Sequence, residues 1–169
     1  MYGKDNYAQK GWTKPITAEA AAQTETKINE GDFSGDVMKN VVQIQPEKKM
    51  EKMVKIVSKD DGTGGTKASN NQEHSGNLVN GDVKASKSGG VGDPSKGKVA
   101  SISDVDFHSH PSGTKKVPGA TAMWVQPPSK QDITTGKKTE YVFGMKDGTI
   151  YIYNKTGVVA TIPISTFKN

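Results

Sequence analysis

At 169 residues the chain fits one ordinary domain with some extra, and a second full core would be cramped. Only 32% of it is hydrophobic and 19 residues are glycine, which disfavours a long barrel or bundle and gives loops a large share. The net charge of +5 rests on 23 basic residues, all of them lysine; without the bidentate arginine fork, nucleic-acid recognition is disfavoured, and without cysteine there are no disulfides, thiolate nucleophiles or Cys-based zinc fingers.

Residues 1–45 are polar and read as an N-terminal extension with one helix, in which Thr17 caps Ala18–Asn29 and Gly31 stops the run. No apolar stretch approaches the roughly 20 residues that cross a bilayer, and residues 1–5 lack the apolar run of a signal peptide. The expectation is a soluble protein with no membrane partner, either cytoplasmic or exported as part of a larger chain. Pro46 then opens an amphipathic helix, with Met50, Met53, Val54 and Val57 on one stripe and Lys48, Lys49, Glu51, Lys52 and Lys55 on the other face. A core-facing helix with a solvated lysine face explains this more simply than a membrane-surface helix.

Residues 59–72 and 86–97, rich in Asp, Gly, Ser and Asn, read as exposed, mobile loops. Between them residues 74–83 have strand-like content, and residues 98–110 alternate through Val99, Ile102, Val105 and Phe107 as a second strand. Ser129–Thr135 begins a helix. The C-terminal part is the clearest β region: Tyr141–Phe143, a turn at Lys146-Asp147-Gly148, Thr149–Tyr153, a turn at Asn154–Gly157, and Val158–Ile164, which together predict a three-stranded antiparallel meander. No repeat occurs at the periods of solenoids or propellers, so the class is α+β, with a single mixed sheet flanked by helices.

Two of the three histidines fall in Asp106-Phe107-His108-Ser109-His110-Pro111-Ser112-Gly113. Residues i and i+2 of a strand share a face, so His108 and His110 present two imidazoles to one ion, while Pro111 ends the pairing. Catalytic zinc commonly takes three protein ligands and keeps a fourth position open. Asp132, three residues after Ser129 at a helix start, is a candidate third ligand, although Ser-x-x-Asp is also the pattern of a capping box. The plainer alternatives are two surface histidines, a helix cap and, for Glu73, an exposed loop carboxylate. His74 reads as a solvated side chain, with a fourth-ligand role as its alternative.

Together, His108-Ser109-His110-Pro111, Ser129-Lys130-Gln131-Asp132 and the upstream Glu73-His74-Ser75-Gly76-Asn77-Leu78 resemble the signature of the JAMM metalloproteases, also called the MPN or JAB-like family. The likeness covers residues 46–169 in layout, and only the three short motifs are specific. It implies a JAMM/MPN-like, cytidine-deaminase-like architecture and a zinc-dependent peptidase or isopeptidase. In that family's pattern His108, His110 and Asp132 hold Zn2+, Glu73 stands outside the metal shell as the base toward water, and Ser129 donates to the developing oxyanion. The implied partner is a peptide or isopeptide-linked protein. The nearest subgroup is the JAB-like toxin domains of bacterial polymorphic Rhs-type toxins, which implies a bacterial toxin or effector domain with a parent toxin polypeptide and an immunity protein as further partners.

One departure is the segment 111–128 between the second His and Ser129, where the family usually has far fewer residues. An insertion there would sit at the rim of the site and narrow access. Met123 and Trp124 within it are candidates for substrate contact, or simply tuck the loop onto the core. Two other function classes remain open at this point: a non-catalytic MPN-like scaffold or binding module, and a basic nucleic-acid-binding protein or nuclease.

Overall fold

The computed structural model describes residues 12–13, 27, 30, 42–97, 102, 104–136 and 138–168. The expected helix at Ala18–Asn29 and most of the predicted strand before Asp104 lie outside the described residues. Trp12–Thr13 (β1) pairs antiparallel with Val42–Gln43 (β2), and Ile44 just beyond is buried in the core, so packing begins before Pro46.

Helix α1 spans Glu47–Val57 and buries Met50, Met53, Val54 and Val57, the four residues of the apolar stripe. The strands Ser75–Val79 (β3), Asp82–Ala85 (β4), Phe107–His110 (β5), Glu140–Gly144 (β8), Thr149–Asn154 (β9) and Gly157–Pro163 (β10) form one mixed sheet in the order β10-β9-β8-β5-β3-β4. The predicted meander is present as β8, β9 and β10, all antiparallel. The fold is therefore α+β around a mixed six-stranded sheet.

Only β5 and β8 run parallel. A parallel pair cannot be joined by a tight turn and needs a long crossover. Here residues 111–139 supply it, and they carry an unpredicted hairpin, Thr114–Val117 (β6) with Ala120–Met123 (β7), followed by the short helix Lys130–Thr135 (α2). The crossover thus delivers α2 to the end of β5.

The alternation of strands divides the sheet into two faces. Phe107 of β5, Tyr141 and Phe143 of β8 and Ile150 and Ile152 of β9 lie on one face, and all five are essentially fully buried in the core that α1 joins. Phe107 and Phe143 meet edge to face at 6.1 Å between ring centres. His108 and His110 alternate onto the opposite face, together with Ser75, Glu140 and Tyr153. Gly76 opposite Phe107 is required by this packing, since a Cβ there would come within 2.4 Å of the Phe107 ring and of the Lys84 carbonyl.

Two expectations are corrected. Residues 74–83 are not one strand: β3 and β4 form a hairpin about Asn80-Gly81, both with positive φ (51° and 78°), the pairing that a tight primed turn demands. Nor is 59–72 solvated throughout: residues 59, 61, 63 and 65–68 are exposed as expected, but Asp60, Asn70 and Asn71 are buried and Ala68–Asn71 form a 3-10 turn. Hydrogen bonds satisfied within the protein replace those to water, and side-chain polarity alone does not reveal that exchange.

Candidate metal centre

β5 ends in the centre of the sheet, and its two histidines project from the face opposite the core. His108 pairs with Ser75 of β3 and with Val142 of β8, and His110 with Gly144, so both rings are held on a paired backbone and both residues are buried. The ring centres are 5.2 Å apart. Glu73, two residues before β3, comes up beside them. One carboxylate oxygen of Glu73 and one nitrogen from each ring lie within 4.8 Å of one another, and this buried triad can hold a metal ion.

Asp132 reaches the same rings from the first turn of α2. Its two oxygens stand 3.4 Å from His108 Nε2 and 3.6 Å from His110 Nε2. The capping box read from the sequence is also present: Ser129 N–H donates to Asp132 Oδ2 at 2.6 Å, and Asp132 N–H donates to Ser129 Oγ at 3.2 Å. Cap and metal-site roles are not alternatives here, because the reciprocal cap fixes the Asp132 carboxylate in the orientation that faces the imidazoles.

Burial pushes the Glu73 carboxyl above its ordinary value; His108 and His110 pull it back in part, while the Asp132 charge adds to the rise. For Asp132, burial also acts upward, yet hydrogen bonds from His108, His110 and Ser129 prevail and hold it well below the usual carboxylate range. Neighbouring carboxylates thus have proton affinities pushed in opposite directions, a common arrangement where one group must take a proton and another must stay ionised.

These side chains line a cavity of about 650 Å³ together with Asp104, Asp106, Glu140, Tyr153, Pro111, Met123, Trp124 and Val125. The described lining contains five carboxylates (Glu73, Asp104, Asp106, Asp132 and Glu140) and no lysine, although lysine is abundant elsewhere in the chain. Two imidazoles among carboxylates, with no thiolate, form a set suited to a borderline divalent cation. The residues present therefore fit a metal ion. His110 Nδ1 is buried and has no hydrogen-bond partner.

The expected solvated His74 is instead buried. Its Nε2 lies 2.8 Å from the Ser69 carbonyl and its Nδ1 2.9 Å from Ser88 Oγ. The carbonyl only accepts, so Nε2 carries the hydrogen, and the Ser88 hydroxyl completes the second nitrogen. With both nitrogens engaged, His74 is a structural anchor and the fourth-ligand alternative falls away. Glu73 likewise is not an exposed loop carboxylate; it is buried, and its donor oxygen is near enough to both rings to serve as a ligand as well as a base.

Segment 111–128 forms part of the cavity wall through Pro111, Met123, Trp124 and Val125. Trp124 is pinned by its indole N–H donating to Asn71 Oδ1 at 3.1 Å, while Met123 and Val125 beside it are 59% and 74% exposed. Tyr153, absent from the sequence reading, is fully buried in β9 and donates its hydroxyl to Glu140 Oε2 at 2.8 Å. Burial, reinforced by Glu140, pushes the Tyr153 hydroxyl far above its ordinary value, and the charges of Asp132 and Glu73 add to this. Its place on the histidine face follows from its pairing with Glu140 across β8 and β9.

Compared with models of protein families, with curated proteins and with solved structures, the chain finds no match. Among the described residues no helix is long and apolar enough to cross a membrane.

Proposed function

We propose that the chain is a zinc-dependent peptidase or isopeptidase of the JAMM type, acting as a toxin or effector domain. The carrying observation is the convergence of His108, His110 and Asp132 at the end of one strand, with buried Glu73 beside them in the same cavity. The mixed sheet and the order of the three motifs along the chain support the same reading. The absence of lysine from the described lining disfavours a phosphodiester substrate, whose charge the carboxylates repel.

In this reading His108, His110 and Asp132 hold the zinc. Zinc, when bound, lowers the pKa of water toward neutrality and polarises a carbonyl. Glu73 takes a proton at its carboxylate and holds it for the leaving amine, a task suited to a group whose proton affinity burial has raised. Ser129 Oγ accepts the Asp132 N–H, which leaves its own hydrogen to donate, in this reading, to the substrate carbonyl oxygen as charge develops there. Trp124 and Met123 on the insertion wall, with Val125, border the path of entry.

Elemental analysis after matched zinc exposure and dialysis is the first test. Stoichiometric zinc in the wild type, lost in both His108→Ala and Asp132→Ala, is the expected result. A wild type that retains no specific zinc overturns the reading. With zinc present, Glu73→Gln separates enzyme from scaffold in a peptide and isopeptide screen: an enzyme keeps its metal and loses turnover by about 100-fold or more, whereas a scaffold shows no turnover in either form.

A further inference from the structure

A metal-ligating histidine ordinarily has its second ring nitrogen hydrogen-bonded, which fixes the ring's orientation. The His110 ring turns its Nε2 toward Asp132, and its buried Nδ1 has no hydrogen-bond partner among the described residues. The backbone that follows His110 is held with unusual density instead. Asp60, wholly buried just beyond α1, accepts the Ser112 N–H on Oδ2 at 2.7 Å and the Ser112 hydroxyl on Oδ1 at 2.5 Å, and Oδ1 also accepts the Gly62 N–H at 2.9 Å. Around this pair, Gly113 N–H donates to the Asn70 carbonyl at 2.6 Å and Thr114 N–H to the Gly65 carbonyl at 3.0 Å. Residues 60–71 thus clasp the turn 112–114, and the same segment leads two residues later into Glu73.

We infer that Asp60 is a positioning residue of the metal centre: by gripping the N–H and the hydroxyl of Ser112, it fixes the backbone that carries His110 and sets the spacing between His110 and Glu73. The inference rests on the metal-centre reading given above. Charge-assisted hydrogen bonds to a buried carboxylate are the strong kind, and a full set of partners leaves the turn little freedom. An asparagine at position 60 would turn an NH2 group toward one of the N–H or O–H donors that now bind the carboxylate. Ser112→Ala is milder, deleting the hydroxyl contact while keeping the backbone one.

The test uses the full chain, stripped of metal by chelator and titrated with zinc against a competing chromophoric chelator. Cobalt(II) absorption reports ligand geometry, and circular dichroism reports the fold. Asp60→Asn is expected to weaken zinc binding about 10- to 100-fold, the usual loss when an orienting partner is removed, and to shift the cobalt bands. Ser112→Ala is expected to weaken it less, and the double variant no more than Asp60→Asn alone. Asp82→Asn removes one negative charge from the exposed Lys52 ion pair and is expected to bind as wild type. Wild-type affinity and an unshifted cobalt spectrum in folded Asp60→Asn overturn the inference alone. If Asp60→Asn does not fold, the same result in Ser112→Ala overturns it. A wild type that binds no metal overturns the metal-centre reading and this inference with it.

Discussion

The two halves of the sheet are held by different physics. On the β8–β10 side, Phe143, Ile150, Ile152, Ala160 and Ile162 are buried in a continuous apolar cluster, and each strand pairs with its sequence neighbour. On the β5 side, buried polar groups hydrogen-bonded within the protein accompany Phe107: Asp60 with Ser112, Asn70 with the Gly64 carbonyl, and His74 with Ser69 and Ser88. Apolar burial is non-directional and accepts small shifts, whereas a buried polar group left without its partner costs the whole desolvation. The first half is built for stability, and the second fixes atoms in place.

The sharpest way to break this comparison is Phe143→Ala. Removing a fully buried aromatic side chain is expected to cost about 3–5 kcal/mol, read by denaturant unfolding. A loss below about 1 kcal/mol would show that the apolar half is not the source of stability.

On the other side, Gly113→Ala puts a Cβ 1.9 Å from Asn71 Oδ1 and 2.6 Å from the Asn70 carbonyl. Overpacking of this kind costs about 1–3 kcal/mol. Because Asn71 also receives the Trp124 indole N–H, tryptophan fluorescence is expected to change with it. An unchanged emission would mean that the clasp and the insertion wall are independent.

Between the halves stands Tyr141, whose buried hydroxyl accepts the Gln45 N–H at 3.2 Å and so ties β8 to the approach to α1. Tyr141→Phe is expected to cost about 1 kcal/mol. Burial, opposed by the hydrogen bond from Gln45, pushes the Tyr141 hydroxyl from 10.0 up to about 12. A value raised on folding stabilises the neutral form, so the contribution is complete below pH 10 and fades as pH rises through 12. Thermal melts across that window are expected to fall less steeply in the variant; parallel slopes would contradict the assignment.

The smallest effect is expected from Lys52→Ala. The ion pair with Asp82 at 2.5 Å joins α1 to β4, but both side chains are more than half exposed. Such pairs contribute about 0–1 kcal/mol and fade with salt. A loss well above that range would show α1 held by charge and not by its methionine and valine stripe.

The regular elements were legible where periodicity reports burial directly. α1 followed from Met50, Met53, Val54 and Val57, and the meander from its alternating strands and Gly-containing turns. The hairpin at Asn80-Gly81 was legible too, but the apolar content on either side of the turn reads as one run. Of the site, His108, His110 and Asp132 could be named from local spacing, and Glu73 and the role of Ser129 only from the family resemblance. Tyr153 and Glu140 could not, because nothing in the sequence tells which alternate residues of β8 and β9 face the histidines.

By itself, then, the sequence determined helix α1 with its apolar stripe, the C-terminal meander and the histidine pair able to bind a metal, since each depends on neighbours a few positions away. Only the tertiary structure decided that residues 60–71 form a clasp around buried Asp60, Asn70 and Asn71, that His74 is an anchor, and that Asp132 caps its helix and faces two imidazoles at once. These depend on which groups replace water around a polar side chain. Some of those groups come from distant segments, 22 positions apart for Asp132 and His110 and 52 for Asp60 and Ser112, brought together by the crossover that the parallel β5–β8 pair imposes.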